Sequence, residues 1–385
     1  MPVQEAAKWQ EERLCALNEA RCVVVKVGSA VLAGPQGLDE ALVAGLVGQL
    51  VWLRKQGRRV LLVSSGAVAI GRAALGPHRD TRSMSGRQAA SAVGQSRLMH
   101  LYDQLFAAHG VLSAQVLLTR DDLRSRQRFL NARNTFASLL DWDAVPVVNE
   151  NDTVAVQELK FGDNDCLASL LLNLVEADLF INLTSAGGVF AADPQREPQA
   201  GLLSCIEKVR ELKLEELCGG KSTLGTGGMY SKLLAARRAA QLGVPTLIVP
   251  GREADIIPRA FAGEALGTWV RAEKQSVSRR KYWMAYQSDP QGEIFVDAGA
   301  ARALLERGSS LLPGGVCGVE GSFQPGALVR IRCQEQTLGV GLSNYSALDL
   351  RRIMGHKRHE VAALLGDAQY PEVVHRDHML LDAAV

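Results

Sequence analysis

The sequence predicts an α/β protein, a mainly parallel sheet sandwiched by helices, with a second, smaller β-rich domain behind it. Three observations carry this. Between residues 21 and 270, short β-branched runs alternate with longer helical patterns. Several of those runs are apolar throughout, as strands are when both faces of a sheet are covered. After a polar stretch at 271–280, the pattern changes to short strands broken by Gly and Pro.

The elements follow in order. The first twenty residues mix acids with bases and lack an uninterrupted apolar run, so they read as a short polar helical extension and not as a signal peptide. Residues 22–27 (CVVVKV) make the first strand. A helix is predicted over 39–56, because Val43, Leu46, Val47, Leu50 and Leu53 form one apolar stripe at helical spacing. Further strands are predicted at 59–64, 112–118, 144–148, 179–183 and 245–249. Between them fall helices at 87–108, 127–140, 164–175 and 229–242. Short strands at 293–297, 316–319, 328–332 and 338–342 make the β-rich part. The expected division is an extension over 1–20, an α/β domain over 21–270, a linker over 271–283, a β-rich domain over 284–370 and a tail over 371–385.

Composition excludes several classes of protein. With 47% apolar and 22% charged residues, the chain is neither disordered nor collagen-like. Its net charge of +2 supplies no global basic field for nucleic acid or membrane. No apolar run reaches the ~18 residues that a membrane span needs. The seven cysteines are odd in number and contain no CxxC pair, which argues against a zinc site or a disulfide framework. They read as small buried apolar residues in a reducing compartment, and the cytoplasm is expected.

Four clusters at predicted strand ends could carry chemistry, since open sheets bind ligands beyond the carboxyl ends of their strands. Lys26-Val27-Gly28-Ser29 joins a phosphate-seeking charge to a glycine that lets backbone approach a ligand; a merely solvated lysine is the alternative. Ser64-Ser65-Gly66-Ala67 offers N–H groups and hydroxyls to an anion, or simply caps a helix. Asn149-Glu150-Asn151-Asp152 and Gly162-Asp163-Asn164-Asp165 place carboxylates and amides after one strand, more densely than turn geometry needs. The stretch from Leu224 to Lys232 opens a helix with glycines and carries a lysine one turn in, a phosphate cradle that is not a Walker A motif. No Ser/His/Asp triad can be assigned, and the seven histidines do not read as metal ligands.

Together VVVKVGS, VLLVSSGAVAIG, QRFLNARNT, VPVVNENDTV, FGDNDCLAS and LGTGGMYSK closely resemble the glutamate 5-kinases of the amino acid kinase family. EIFVDAGAARALLERGSSLLPGGV, at 293–316, is similar to the start of the PUA domain that many bacterial members carry. The resemblance implies transfer of the ATP γ-phosphate to L-glutamate, with magnesium, as the first step of proline synthesis. By motif match Ser65, Asp152 and Asn164 would hold glutamate, with Asn149 and Asp163 beside them. Lys26, Thr184, Ser185, Thr226, Gly227, Gly228, Met229, Tyr230, Ser231 and Lys232 would surround ATP. Lys26 and Lys232 would offset transition-state charge while Asp165 holds both lysines. The family further implies a homo-oligomer (dimer or tetramer), proline as feedback inhibitor and a γ-glutamyl phosphate reductase downstream.

Two features depart from or qualify the resemblance. The family pattern has Thr-Asp where this chain has Thr184-Ser185, so altered ATP affinity is expected. PUA domains are similar to RNA-binding modules, yet residues 281–385 hold 10 Lys+Arg against 12 Asp+Glu, a net of −2. RNA binding normally needs a basic face, and is not expected. Two rivals stay open here: a paralogous kinase for another carboxylate or carbamate, and an RNA-binding protein with an inactive kinase fold.

Overall fold

The computed structural model of the chain describes residues 3–34, 37–155, 164–194, 197, 199–218, 228–274, 276–287, 289–366 and 370–381. Its contacts divide it into two units, Met1–Ser276 and Val277–Val385. No helix among the described residues is long and apolar enough to cross a membrane.

The first unit runs α1 (Val3–Glu19), β1 (Cys22–Val27), α2 (Ser29–Leu32), a small hairpin of β2 (Ala33–Gly34) and β3 (Gly37–Leu38), α3 (Glu40–Lys55) and β4 (Arg59–Ser64). It continues through α4 (Ala67–Leu75), α5 (Met84–Ala108), β5 (Ser113–Leu118), α6 (Arg120–Arg124), α7 (Arg126–Asp141) and β6 (Val145–Glu150). After α8 (Asn164–Leu174) and β7 (Leu179–Thr184) come β8 (Cys205–Ile206), α9 (Leu214–Leu217), α10 (Met229–Gln241), β9 (Thr246–Pro250), α11 (Ile256–Phe261) and β10 (Thr268–Val270). The sheet has eight strands in the order β5-β6-β4-β1-β7-β9-β10-β8, and every pairing is parallel except β9 with β10. Every residue of β1 and β7 is buried, the polar Lys26, Asn182 and Thr184 included, as in strands covered on both faces. The element most at odds with its predicted start is α5, which begins at Met84 because Ser83 caps it by accepting from the Gly86 N–H at 3.2 Å.

Residues 1–20 are helical, as expected, but they are not a free polar extension. Trp9, Arg13 and Leu17 are buried at four-residue spacing, and Arg13 donates to the Glu264 carbonyl at 3.0 Å. Arg271 pairs with Glu12. The charges between these positions hide a narrow apolar stripe that belongs to the main core.

The second unit comprises α12 (Arg279–Gln287), β11 (Gly292–Val296), α13 (Ala298–Arg307), β12 (Val316–Gly321), β13 (Leu328–Cys333), β14 (Gln336–Leu342), α14 (Ala347–Ile353), α15 (Arg358–Leu365) and β15 (Met379–Leu380). Its sheet order is β12-β11-β13-β14-β15, with only β11 and β13 parallel. Two boundaries differ from the sequence reading. The expected linker over 271–283 contains the start of α12, whose Tyr282, Met284, Ala285 and Tyr286 are buried behind a run of basic residues. The expected tail holds β15, which pairs with β14 and follows the buried Val373 and Val374.

All seven cysteines are free thiols. The expectation that they are buried holds for Cys22 alone: Cys15 and Cys317 are exposed and the other four are half-buried. Single cysteines sit wherever a small side chain fits, and an amphipathic surface accepts them.

Candidate active site

The site forms at the carboxyl ends of β1, β4 and β7. Lys26 lies in β1, one residue from its end, in register with Asn182 of β7. The Asp165 carboxylate, at the first turn of α8, lies among donors from three elements and is fully buried. Lys26 Nζ stands 2.6 Å from Asp165 Oδ1, and Lys232 Nζ of α10 stands 3.0 Å from Oδ2. Asn182 Nδ2 donates to Oδ1 at 2.8 Å, and Ser231 Oγ to Oδ2 at 3.0 Å. Lys26 is 1% exposed and Lys232 is 5% exposed. Two buried ammonium groups thus share one buried carboxylate, a costly arrangement unless each charge is closely paired.

A cleft of about 400 Å³ opens on these lysines. Gly28, Ser29, Ser65, Thr184, Ser185 and residues Gly228 to Tyr230 all line it. Thr184 Oγ1 accepts from the Ala186 N–H at 3.4 Å, so the stretch that lacks the family's aspartate still borders the cleft. The acidic side chain on this wall comes from Asp193. Cys218 lines it too, and burial pushes its thiol up to about 11, which keeps it protonated near neutral pH.

Beside the cleft lies a cluster of amides. Asn164 Nδ2 donates to Ser65 Oγ at 2.9 Å, to the Ser64 carbonyl at 3.0 Å and to Asn149 Oδ1 at 2.8 Å. Asn149, on β6, donates in turn to Gln95 Oε1 of α5 at 2.8 Å. Asp152 Oδ2 accepts from Ser91 Oγ at 2.7 Å. A second cleft of about 640 Å³ is lined by Ser91, Gln95 and Asp152. Gly66 caps α4 at φ +108, a left-handed conformation that favours glycine and turns the chain so that Ser65 meets Asn164.

The structure therefore brings Lys26, Asp165, Lys232 and Ser231 into one contact group, and Ser65, Asn149 and Asn164 into another. Asp163, Thr226 and Gly227 lie outside the described residues. Sequence reasoning missed Asn182, Ser91 and Gln95. Asn182 had a signal, a lone amide inside the apolar run LFINLT where every position is buried. For Ser91 and Gln95 the signal was weaker, a small polar pair four residues apart among alanines and glycines.

Comparison with known proteins follows the same division. The amino acid kinase family profile matches residues 21–250, and the PUA domain profile matches residues 292–365. The chain belongs to the amino acid kinase family. Within it, the chain is similar to the glutamate 5-kinase of Nitratidesulfovibrio vulgaris strain DP4, at 68% identity over 98% of this chain and 100% of that one. The glutamate 5-kinase of Oleidesulfovibrio alaskensis is 63% identical over 98% of this chain and 100% of its own. Among solved structures, the UMP kinase of Bacillus anthracis aligns with a TM-score of 0.47 at 14% identity, covering 66% of this chain and 96% of that one.

Proposed function

We propose that the chain transfers the γ-phosphate of ATP to the side-chain carboxylate of L-glutamate, giving L-glutamyl 5-phosphate and ADP, the first step of proline biosynthesis. The observation that carries this reading is the buried Asp165 with Lys26 and Lys232 at 2.6 and 3.0 Å, on the wall of a cleft that adjoins the amide cluster. The relatives' names supply the substrate.

The chemistry follows from charge. A glutamate oxygen forms a bond to the γ-phosphorus as the bond to the ADP oxygen breaks. The nucleophile is already an anion, so no general base is needed. The obstacle is repulsion between carboxylate and triphosphate, and two fixed ammonium groups offset it without reorganising. Asp165 holds both lysines in place. Thr184, Ser185 and Gly228 to Lys232 border the nucleotide, and we extend that border to Thr226 and Gly227. Ser65, Asn164, Asn149, Asp152 and Asp163 surround glutamate, with Asp152 facing its ammonium group.

Magnesium belongs with the nucleotide. The described residues hold no group of three or more His, Cys, Asp or Glu side chains placed to bind a metal. A magnesium ion carried on the nucleotide would supply further neutralisation of the triphosphate. Asp165 is not assigned to it, because both its oxygens already face lysines. We further propose a homo-oligomer in the cytoplasm, feedback by proline at or near the glutamate site, and a γ-glutamyl phosphate reductase as the consumer of the product.

The test is ADP release from the purified protein with magnesium-ATP, with and without L-glutamate, in the presence of hydroxylamine. The expected result is glutamate-dependent ADP and a trapped γ-glutamyl hydroxamate. Equal turnover with aspartate or N-acetylglutamate, or none with glutamate, overturns the reading.

A further inference from the structure

We propose that Gln95 of α5, assisted by Ser91 four residues earlier, is a positioning residue that holds the glutamate-side amides in the orientation their backbone partners set and so selects a substrate bearing a free ammonium group. The inference rests on the glutamate reading above.

It begins with hydrogen-bond polarity. The Glu150 backbone N–H can only donate, and it meets Asn149 Oδ1 at 2.9 Å. Asn149 must then turn its Nδ2 away, toward Gln95 Oε1 at 2.8 Å. Asn149 Oδ1 also faces Asn164 Nδ2 at 2.8 Å. The Ser64 carbonyl, which can only accept, takes the same nitrogen at 3.0 Å. Two groups of fixed polarity thus orient Asn164 with its nitrogen toward the protein. Its Oδ1 is left as an acceptor with no hydrogen-bond partner among the described residues. Asn164 is half-buried. An acceptor oxygen suits an ammonium group, which has three donors and no acceptor. It does not suit an acylated amine, which brings its own carbonyl oxygen.

Gln95 is built to hold this order. It is 9% exposed and Ser91 is 4% exposed, and they share one face of α5. That helix is pinned to α4 by reciprocal close contacts. A Cβ on Gly71 would fall 1.7 Å from the Ala90 carbonyl oxygen, and one on Gly94 would fall 1.8 Å from that of Ala67. The helix bearing Gln95 thus packs backbone to backbone on the helix that follows the Ser65 turn. Ser91 Oγ, by donating to Asp152 at 2.7 Å, ties the carboxylate to the same rigid face.

The test compares L-glutamate with glutarate, the same diacid without the amino group. Gln95→Met keeps the length and removes the acceptor, so the Asn149 N–H loses its partner. The expected result is a rise of about tenfold in KM for glutamate, with the glutarate inhibition constant and the ATP KM within about twofold of wild type. Gln95→Glu keeps an acceptor oxygen and restores the glutamate KM to within about threefold. Ser91→Ala, a milder change, shows the same split at about threefold and serves if the methionine variant does not fold. Equal weakening of glutamate and glutarate marks Gln95 as merely structural and overturns the proposal, as does an unchanged glutamate KM. Wild-type protein that shows no glutamate-dependent ADP release removes the substrate reading itself, and that result precedes any variant.

Discussion

Asp165 in the α/β unit and Glu293 in the β-rich unit each hold two cations, and their surroundings differ chiefly in access to water. Asp165 is fully buried, with Lys26 and Lys232 at 2.6 and 3.0 Å. Glu293 of β11 faces Arg330 and Arg332 of β13, both at 3.0 Å, with its side chain 23% exposed. The first cluster is costly to assemble, because three charges leave water. The second costs little and contributes little, since solvent screens it. A fold that needed only stability would fill the first position with apolar side chains. The proposed catalytic role gives a reason for the expense at Asp165, whereas Glu293 ties neighbouring strands together. The surface arginines of the second unit tell the same story: Arg351 donates to the Gly321 carbonyl and Arg352 to that of Leu364, both at 2.8 Å.

Substitutions at the two carboxylates can break this contrast. Asp165→Asn removes the carboxylate that two buried ammonium groups share. We expect a loss of about 3–5 kcal/mol in urea unfolding of the α/β unit, and a fall in turnover of about a thousandfold or more. A variant with wild-type stability and turnover would erase the distinction. Asn182→Leu sharpens it by removing one neutral donor while leaving the charges. The expected cost is about 1–3 kcal/mol in the same measurement. No change would mean that the lysines alone settle the aspartate.

Glu293→Gln should cost under about 1 kcal/mol in unfolding of the β-rich unit, and a larger loss would show that exposure misjudges this cluster. The smallest effect is on pH. Arg332 first, and then Arg330, hold the Glu293 carboxyl below its ordinary value of 4.5. Its contribution is therefore present above pH 4.5 and is lost as pH falls through the lowered value. Thermal unfolding between neutral pH and about pH 3 should show a slightly flatter acid limb for Glu293→Gln than for wild type. An unchanged limb would remove the ion pairs from the account.

Much of the fold was legible because β1, β4 and β7 are apolar runs separated by striped helices, and both signals are local. The α12 helix and β15 were not, because a basic run masks the first and a two-residue strand has no period to detect. The site divides in the same way. Lys26 and the Ser64–Ser65–Gly66 turn stand at strand ends and can be suspected from position alone. Asp165 and Lys232 are 67 residues apart in sequence, so their contact was suggested by family resemblance and not by any local pattern. Gln95 and Ser91 were invisible because their significance lies in hydrogen-bond polarity across α5, β6 and α8, which no periodicity encodes.

The central claim, that two lysines fixed by one buried aspartate neutralise the transferring phosphoryl group, is tested most directly at Lys232. Lys232→Met should retain ATP binding within about tenfold, measured with a fluorescent nucleotide, while kcat for glutamate-dependent ADP release falls by about a hundredfold or more. A kcat within about threefold of wild type, or a loss confined to ATP affinity, would contradict the account and reduce Lys232 to a binding residue.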